Sequence, residues 1–216
     1  VVIRVPVGGY IHGGPYHSQS IDSYFYHMPG LYVAYPSNAA DAKGLLKAAC
    51  RMKDPVLFFE HKGLYRQGYA ATEEPDENYI LPFGKAKIIQ HGDTLTLITW
   101  GAMVQKSLEA IKIGNHTEGR IELIDLRTIS PIDWSMIFTS VKKTGKILIV
   151  HEDTITGGVG GEISAKITEN LFEELDGPIK RVGAKDCHIP YHTDLEDVIL
   201  PQTNDIVEAI EEIMEY

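Results

Sequence analysis

The chain has 216 residues, of which 44% are hydrophobic and 23% are charged, a composition typical of a folded globular protein. Its formal net charge of -10 argues against nucleic acid as a partner. The sequence contains no run of about 18 apolar residues of the kind that would predict a membrane span. Cys50 and Cys187 belong to no CxxC motif and are expected to be free thiols in a reducing compartment.

The first part of the chain predicts one long helix. Residues 39–53 have apolar side chains at helical spacing, and Ser37 or Asn38 can cap the first turn. Asp54-Pro55 ends the helix, because the residue before proline avoids helical backbone angles. A buried strand is predicted next, at residues 56–59.

Residues 1–80 alone predict an incomplete domain. The start at Val1 is typical of the middle of a β-strand, so we expect a longer parent chain. About two strands and one helix would leave a sheet edge and an apolar face open, which preceding sequence or a partner must cover.

Beyond a polar connection at residues 67–84, strand-like and helical runs alternate. Strands are predicted at 94–100, 121–126, 146–150 and 179–182, and helices at 103–112, 134–143, 161–175 and 205–214. This alternation is typical of an α/β fold with a largely parallel sheet. We therefore predict two domains, residues 1–80 and 81–216.

Residues 8–30 are the strongest candidates for chemistry. They combine several glycines with His12, His17 and His27. Glycine lets the backbone approach a ligand, loops of α/β folds commonly bind ligands, and histidine transfers protons near neutral pH. An interpretation in which the glycines only form turns and the histidines only pack or cap remains open. The histidine spacing fits no metal motif, and Ser18 lacks the GxSxG context of a nucleophile.

Three other groups are ambiguous. The glycine-rich stretch 157–161 could hold a phosphate at a helix start, but Glu162 would repel an anion, so close packing of helix on strand is favoured. The triplets Asp125-Leu126-Arg127 and His151-Glu152-Asp153 each follow a predicted strand. Each could belong to a site, a subunit contact or a solvated loop.

Several strings occur in an order that is shared with one family. They are His17-Ser18-Gln19-Ser20, His27-Met28-Pro29-Gly30-Leu31, Pro36-Ser37, Asp41-Ala42-Lys43-Gly44-Leu45-Leu46, Asp54-Pro55-Val56-Leu57-Phe58-Phe59-Glu60, Leu64-Tyr65-Arg66, the run 122–131, His151-Glu152 and Thr156-Gly157-Gly158. Over essentially its whole length the chain resembles the β subunit of the thiamine-diphosphate-dependent decarboxylating component of 2-oxo acid dehydrogenase complexes, of the branched-chain or pyruvate type. That family is similar to transketolase.

The resemblance implies a fold, a reaction and partners. Residues 1–80 would be the C-terminal half of a transketolase-type pyrimidine-binding domain, and residues 81–216 a transketolase C-terminal-type α/β domain. Thiamine diphosphate with magnesium would be shared with an α subunit or a fused α-type domain. The acyl product would pass to lipoyl groups of a dihydrolipoyl acyltransferase core. A second β subunit, and a location in a bacterial cytoplasm or a mitochondrial matrix, are also implied.

The resemblance also assigns residues. His17 would be the catalytic acid–base residue, with His12, Tyr16 and Gln19 on the same active-site loop, whereas His27 is interpreted as structural. A potassium-type site would use the carbonyls of Ala49 and Met52 and the side chain of Asp54. The family's activating glutamate and its main pyrimidine contacts would lie upstream of Val1, so the chain alone is expected to be inactive.

Two alternatives remain open. The chain could come from another transketolase-family enzyme, such as a transketolase or a deoxyxylulose-phosphate synthase, although the His-Ser-Gln string argues against this. It could instead be a noncatalytic module for subunit contact and docking on the acyltransferase core. Within the family, Phe58-Phe59-Glu60 and Leu64-Tyr65-Arg66 favour a branched-chain 2-oxo acid over pyruvate.

Overall fold

A computed structural model describes residues 1–114 and 119–216. The strands are β1 (Val2–Val7), β2 (Tyr32–Ala34), β3 (Val56–His61), β4 (Lys87–Gln90), β5 (Leu95–Thr99), β6 (Ile121–Asp125), β7 (Thr128–Ser130), β8 (Ile147–Thr154) and β9 (Lys180–Ala184). The α-helices are α1 (Gly14–His17), α2 (Asp22–Tyr26), α3 (Ala39–Ala49), α4 (Met103–Ile113), α5 (Trp134–Thr144), α6 (Val159–Leu171), α7 (Thr193–Ile199) and α8 (Thr203–Met214). Short 3-10 turns cover Lys62–Leu64, Gly68–Ala70 and Phe172–Glu174.

The first sheet has the strand order β1-β3-β2-β7. β1, β3 and β2 run parallel, whereas β7 pairs antiparallel with β2. The expected open edge is present at β1, which pairs only with β3 among the described strands. β7 follows residue 80, so the second part of the chain completes the other edge of this sheet.

The second sheet has the order β4-β6-β5-β8-β9, and its last four strands are parallel, as predicted. Only β4 is antiparallel. β5 and β6 are buried along their whole lengths, as expected for strands covered on both faces. One face packs on α5 and α6 through Ile98, Ile124, Ile137, Ile149, Ile163 and Ile167. The other packs on α4 and α8 through Leu97, Leu123, Met103, Ile111, Ile206 and Ile210.

The long predicted elements are present, with three boundary corrections. The helix predicted over 39–53 begins after the cap Asn38, whose side chain accepts from the backbone of Asp41, but it ends at Ala49. The helix predicted over 161–175 runs from Val159 to Leu171, after which the chain tightens into a 3-10 turn. The strand predicted over 146–150 extends to Thr154, because Thr154 pairs with Ala184 of β9.

Two findings concern properties predicted from composition. No helix within the described residues is long and apolar enough to cross a membrane. Cys50 and Cys187 are both free and exposed, which confirms that they form no disulfide.

Candidate active site

The residues between β1 and α2 form a glycine-rich loop, which we call the site loop (residues 8–20). It begins at Gly8, where the backbone is left-handed with φ of 87°. A Cβ atom at this position would lie only 2.2 Å from Nε2 of His61, so only glycine lets the backbone cross that ring. The Gly8 N–H donates to the carbonyl of Gln19 at 3.1 Å, which closes the loop on itself.

A buried histidine–glutamate pair lies directly beneath the site loop. Nδ1 of His61 accepts from the Gly63 N–H at 3.0 Å, which directs the Nε2 proton toward the carboxylate of Glu152 on β8. Glu152 also accepts from the Gly9 N–H at 2.6 Å and from the Ser20 hydroxyl at 3.0 Å. Burial alone would raise the pKa of Glu152, but the His61 ring and these hydrogen bonds outweigh it and leave the pKa below its usual value. An ionised carboxylate thus ties both ends of the loop to the second sheet.

A second polar anchor holds the start of α2. Asp22 accepts from the indole N–H of Trp100 at 2.7 Å, and Asp153 accepts from the backbone and hydroxyl of Ser23 at 3.2 and 2.9 Å. The pKa of Asp22 is raised well above its usual value, mainly by burial and to a smaller extent by the charge of Asp153, although the bond from Trp100 opposes the shift. Asp22 therefore keeps its proton to a higher pH than an exposed aspartate does.

The candidate residues lie at different depths in this loop. His17, at the end of α1, and Tyr16 have exposed side chains, and Tyr16 is 85% exposed. His12 is half-exposed and pairs with Glu196 of α7. In contrast, the side-chain nitrogen of Gln19 is buried and has no hydrogen-bond partner among the described residues. His12, Tyr16 and His17 are therefore open to solvent, whereas the side-chain nitrogen of Gln19 is not.

The position of His17 is set by its neighbours. The ammonium group of Lys62 donates to the His17 carbonyl. A Cβ atom at residue 13 would lie 2.7 Å from Cβ of His17 and 3.0 Å from the hydroxyl of Ser18, so Gly13 leaves the space that His17 occupies. The imidazole thus projects from a fixed backbone into open surroundings, as a proton-transfer group must.

The triplet 125–127 is buried, so its solvated-loop interpretation is wrong. Asp125 accepts from the Ser37 hydroxyl at 2.6 Å and from the Arg127 N–H at 2.9 Å. Burial outweighs the lowering effect of these bonds and raises the pKa of Asp125 to about 6. Arg127 in turn donates to both carboxylate oxygens of Asp41, at 2.9 and 2.8 Å. This network joins the start of α3 to the turn between β6 and β7.

The triplet 151–153 is likewise buried. His151 stacks on Trp100 with ring centroids 5.7 Å apart, and neither ring nitrogen has a partner among the described residues. Burial, with a smaller effect of Arg181, lowers the pKa of His151 to about 4. Cβ atoms at Gly158 and Gly160 would each come within 2.6 Å of this ring. The glycines before and within α6 therefore serve close helix–strand packing, as predicted.

Comparison with known proteins places this architecture. Residues 84–206 match the family described as transketolase, C-terminal domain, and residues 1–67 match the family described as transketolase, pyrimidine binding domain. The chain belongs to the transketolase family. A solved structure, titled split gene transketolase, inactive beta4 tetramer, has the same fold with a TM-score of 0.79 at 20% identity, over 99% of this chain and 66% of that one.

Curated relatives of this transketolase-family chain are more similar in sequence. It is 42% identical to the 2-oxoisovalerate dehydrogenase subunit beta of Bacillus subtilis and 46% identical to the mitochondrial subunit of that name from Dictyostelium discoideum. It is 40% identical to the pyruvate dehydrogenase E1 component subunit beta of Staphylococcus aureus. The matches cover all of this chain but 66%, 58% and 66% of those proteins. The predicted resemblance and the predicted transketolase-type α/β fold are confirmed.

The proposed potassium positions lie at the C-terminal end of α3. The Ala49 carbonyl accepts from the Met52 N–H at 3.1 Å, and the Asp54 side chain is exposed. Within residues 1–114 and 119–216, no group of three or more His, Cys, Asp or Glu side chains could hold a metal ion. The potassium assignment, which rests largely on carbonyl oxygens, remains a prediction.

A cavity of about 470 Å³ opens beside the site loop, between α3 and the segment after β3. Its lining mixes apolar side chains such as Leu46 and Phe58 with charged ones, including Arg4 and Glu60. His61 borders this cavity and also supports the site loop, so the two features share one buried ring.

Sequence reasoning did not identify His61, Asp22 and Glu196 as parts of this region. His61 is the last residue of β3, beyond the strand predicted over 56–59, and the string Glu60-His61-Lys62 was a weak signal for a site. Glu196 lies in a short acidic helix that looks solvated in the sequence, and only the fold shows that it is buried.

Proposed function

We propose that this chain is the β-subunit part of a 2-oxo acid dehydrogenase, which decarboxylates a 2-oxo acid oxidatively and transfers the acyl group to lipoyl groups. The observation that carries the proposal is the exposed His17 on a loop held from below by the buried pair His61–Glu152. The names of the relatives, matched over the whole chain at 40–46% identity, support this reaction class.

The proposed cofactor is thiamine diphosphate with magnesium. When bound, it supplies the electron sink that decarboxylation requires. The glycine-rich backbone and the unpartnered buried nitrogen of Gln19 suit a polar ligand at the site loop. The described residues contain no acidic or histidine cluster for a metal, so we assign magnesium and diphosphate to an α subunit or a fused α-type domain.

His17 is the proposed acid–base residue for acyl transfer. Its imidazole can donate a proton to, or accept one from, a reacting group that approaches it from solvent. Lys62 fixes the backbone at His17, and Gly13 leaves room for the side chain. Tyr16 is also exposed and is proposed to line the approach of the substrate.

A branched-chain 2-oxo acid is the proposed substrate, with pyruvate as the alternative. The strings Phe58-Phe59-Glu60 and Leu64-Tyr65-Arg66 favour the former, and relatives of both kinds are similar to this chain. Initial rates with 2-oxoisovalerate and with pyruvate separate the two. A kcat/KM at least 10-fold higher for pyruvate would overturn the branched-chain assignment.

The proposed partners are an α subunit, a second β subunit and the dihydrolipoyl acyltransferase core. The relatives' names, which call them subunits, support an assembly. A bacterial cytoplasm or a mitochondrial matrix is the proposed location, because the relatives include bacterial and mitochondrial proteins. If the assembled protein binds the acyltransferase's subunit-binding domain in a pull-down but lacks activity, the noncatalytic module is the better description.

We also propose a potassium-type ion at Ala49, Met52 and Asp54. Oxygen ligands at the negative end of a helix dipole suit a monovalent cation. The assembled protein should melt at a higher temperature in KCl than in NaCl of equal concentration. Asp54→Ala should abolish that difference and Asp54→Asn should keep it. Identical melting of the unmodified protein in both salts would exclude the site.

The function is tested with the complete β subunit assembled with its α-type partner and supplied with a lipoyl domain. Mass spectrometry of the lipoyl domain after addition of 2-oxoisovalerate or pyruvate measures acylation directly. We expect acylation that depends on thiamine diphosphate. An assembly that binds the cofactor but acylates with neither acid would contradict the proposed function.

A further inference from the structure

Glu196 contacts the site loop at His12, whereas Glu152 contacts it at Gly9 and Ser20. It is fully buried in α7, and one carboxylate oxygen, Oε2, accepts from the His12 N–H at 3.1 Å and lies 2.6 Å from Nδ1 of the His12 ring. The other oxygen, Oε1, has no partner among the described residues. A buried carboxylate with one occupied and one free oxygen is costly unless its interactions serve a purpose.

The segment around Glu196 forms a wall against the site loop. A Cβ atom at Gly9 would lie 2.5 Å from Cδ1 of Leu200, and the Tyr10 hydroxyl donates to the carbonyl of Pro201 at 2.7 Å. His12 has a left-handed backbone with φ of 56°, which a residue other than glycine adopts only when its surroundings hold it there. The two bonds to Glu196 provide that restraint.

The ring of His12 is held at one nitrogen and open at the other. Its side chain is 48% exposed, whereas that of Glu196 is inaccessible. A carboxylate that accepts from Nδ1 fixes the ring orientation, and in the neutral imidazole it leaves Nε2 as the acceptor, which is the arrangement of a general base and its orienting carboxylate. Only Gly13 and the first turn of α1 separate His12 from His17 along the chain, and both side chains are exposed.

We propose that Glu196 is a positioning residue that orients His12 as a second proton-transfer group beside His17. This inference rests on the proposed function, because it assigns His12 to the same acyl-transfer reaction. Glu196 touches neither substrate nor cofactor in this assignment and acts only through the His12 ring. It comes from the second part of the chain, so the site loop is completed only when both sheets are present.

The kinetic test is a double-mutant cycle in the assembled enzyme with Glu196→Gln and His12→Ala. Glutamine has nearly the same volume but no charge. Because Oε2 of Glu196 serves both the His12 N–H and Nδ1, one amide atom must replace it: the amide oxygen would accept from both groups more weakly than a carboxylate, and the amide NH2 could donate to Nδ1 only by losing the bond from the His12 N–H. We expect Glu196→Gln to lower kcat for lipoyl acylation by about 10-fold or more, with KM for the 2-oxo acid unchanged. In the His12→Ala background the same substitution should lower kcat by less than about 2-fold.

Two kinetic outcomes would overturn the inference. One is a wild-type kcat for Glu196→Gln. The other is an equal loss of kcat in the presence and absence of the His12 ring, which would indicate a structural role. Thermal melting of each variant shows whether a loss of activity merely reflects unfolding.

A spectroscopic test separates this inference from the proposed function. Nitrogen NMR of histidine-labelled protein should show a proton on Nδ1 of His12, and the preference for Nδ1 over Nε2 should be lost in Glu196→Leu, which offers no acceptor. Protonation at Nε2 alone in the unmodified chain would overturn the positioning role, even in an active enzyme. A different combination is the expected NMR result together with a wild-type assembly that fails to acylate a lipoyl domain. That combination would refute the proposed function and leave the Glu196–His12 pairing intact.

Discussion

At the scale of single residues, Gly13 controls the position of His17. The backbone at Gly13 has ordinary angles, with φ of -87°, so an alanine there is not strained by its backbone. Its Cβ would nevertheless lie 2.7 Å from Cβ of His17, closer than two carbon atoms can approach. We predict that Gly13→Ala displaces His17 and lowers lipoyl acylation by about 10-fold.

Gly68→Ala is the matched control for this prediction, because a Cβ atom there meets nothing within 4 Å. It should leave the acylation rate within about 2-fold of wild type. Equal rates for Gly13→Ala and the control would mean that the placement of His17 does not limit the reaction.

Asp125 makes stability depend on pH with a defined sign. Its pKa is raised from 3.8 to about 6 in the folded protein, so between these values the folded state binds more protons than the unfolded chain. The contribution of Asp125 to the free energy of unfolding therefore falls as the pH rises through this window. In Asp125→Asn the amide oxygen can still accept from the Arg127 N–H and the amide NH2 can donate to the Ser37 hydroxyl oxygen, but the side chain cannot ionise.

We therefore predict that wild type loses stability relative to Asp125→Asn by on the order of 3 kcal/mol between pH 4 and pH 7. Chemical denaturation of both proteins at the two pH values measures this difference. A stability difference that does not change with pH would show that Asp125 ionises normally in the fold.

The sequence predicted the exposed members of the candidate site better than the buried ones. Glycines and histidines within the short segment 8–30 indicated a ligand-binding loop, and in the structure His12 and His17 are exposed on it. Their supports come from distant positions. Glu196 lies 184 residues from His12, and Glu152 lies 91 residues from His61. Local patterns carry no information about such pairs, since burial of a carboxylate depends on the tertiary fold.

At the scale of elements, the packing of α6 on β8 depends on one of two adjacent glycines. A Cβ atom at Gly160 would lie 2.6 Å from the His151 ring, whereas one at Gly161 would meet only the flexible end of Arg181 at 3.3 Å. Alanine normally favours a helix over glycine. We predict that Gly160→Ala destabilises the protein by about 1–3 kcal/mol through overpacking, and that Gly161→Ala stabilises it by about 0.5 kcal/mol.

Denaturant titration of the two variants tests this packing. The pair is well matched, because both glycines lie in the first turn of the same helix. If Gly160→Ala were as stable as Gly161→Ala, the contact between α6 and the His151 ring would be looser than described.

Elements with several turns were predictable, whereas short ones were not. The periodic apolar positions of α3, α4, α5 and α8 exceed two turns and give a clear helical signal. β2 and β7 have three residues each, too few to show a period, yet their antiparallel pairing joins the two parts of the chain. Such strands form because tertiary contacts outweigh weak local preference.

At the scale of the whole molecule, a buried ion pair joins the two parts of the chain. Arg127, next to β7, donates two hydrogen bonds to Asp41 of α3, and both residues are buried. Removing the guanidinium leaves Asp41 buried without its counter-charge. We predict that Arg127→Met lowers the free energy of unfolding by roughly 3 kcal/mol.

Arg4→Met provides the comparison for this prediction. Arg4 also pairs with a carboxylate, Glu60, but its side chain is largely exposed, so water replaces the lost interaction at little cost. Equal stability of the two variants in denaturant titrations would show that the Arg127–Asp41 pair does not hold the two parts of the chain together.

The central claim is that the anchored site loop presents His17 for proton transfer. The most direct test is the rate of lipoyl acylation by assembled enzyme that carries His17→Ala. His27→Ala is the control, since His27 is also exposed but lies at the end of α2, outside the site loop. We predict that His17→Ala lowers the rate by about 10²-fold or more and that His27→Ala stays within about 2-fold of wild type. A near-wild-type rate for a folded, assembled His17→Ala enzyme would contradict the claim.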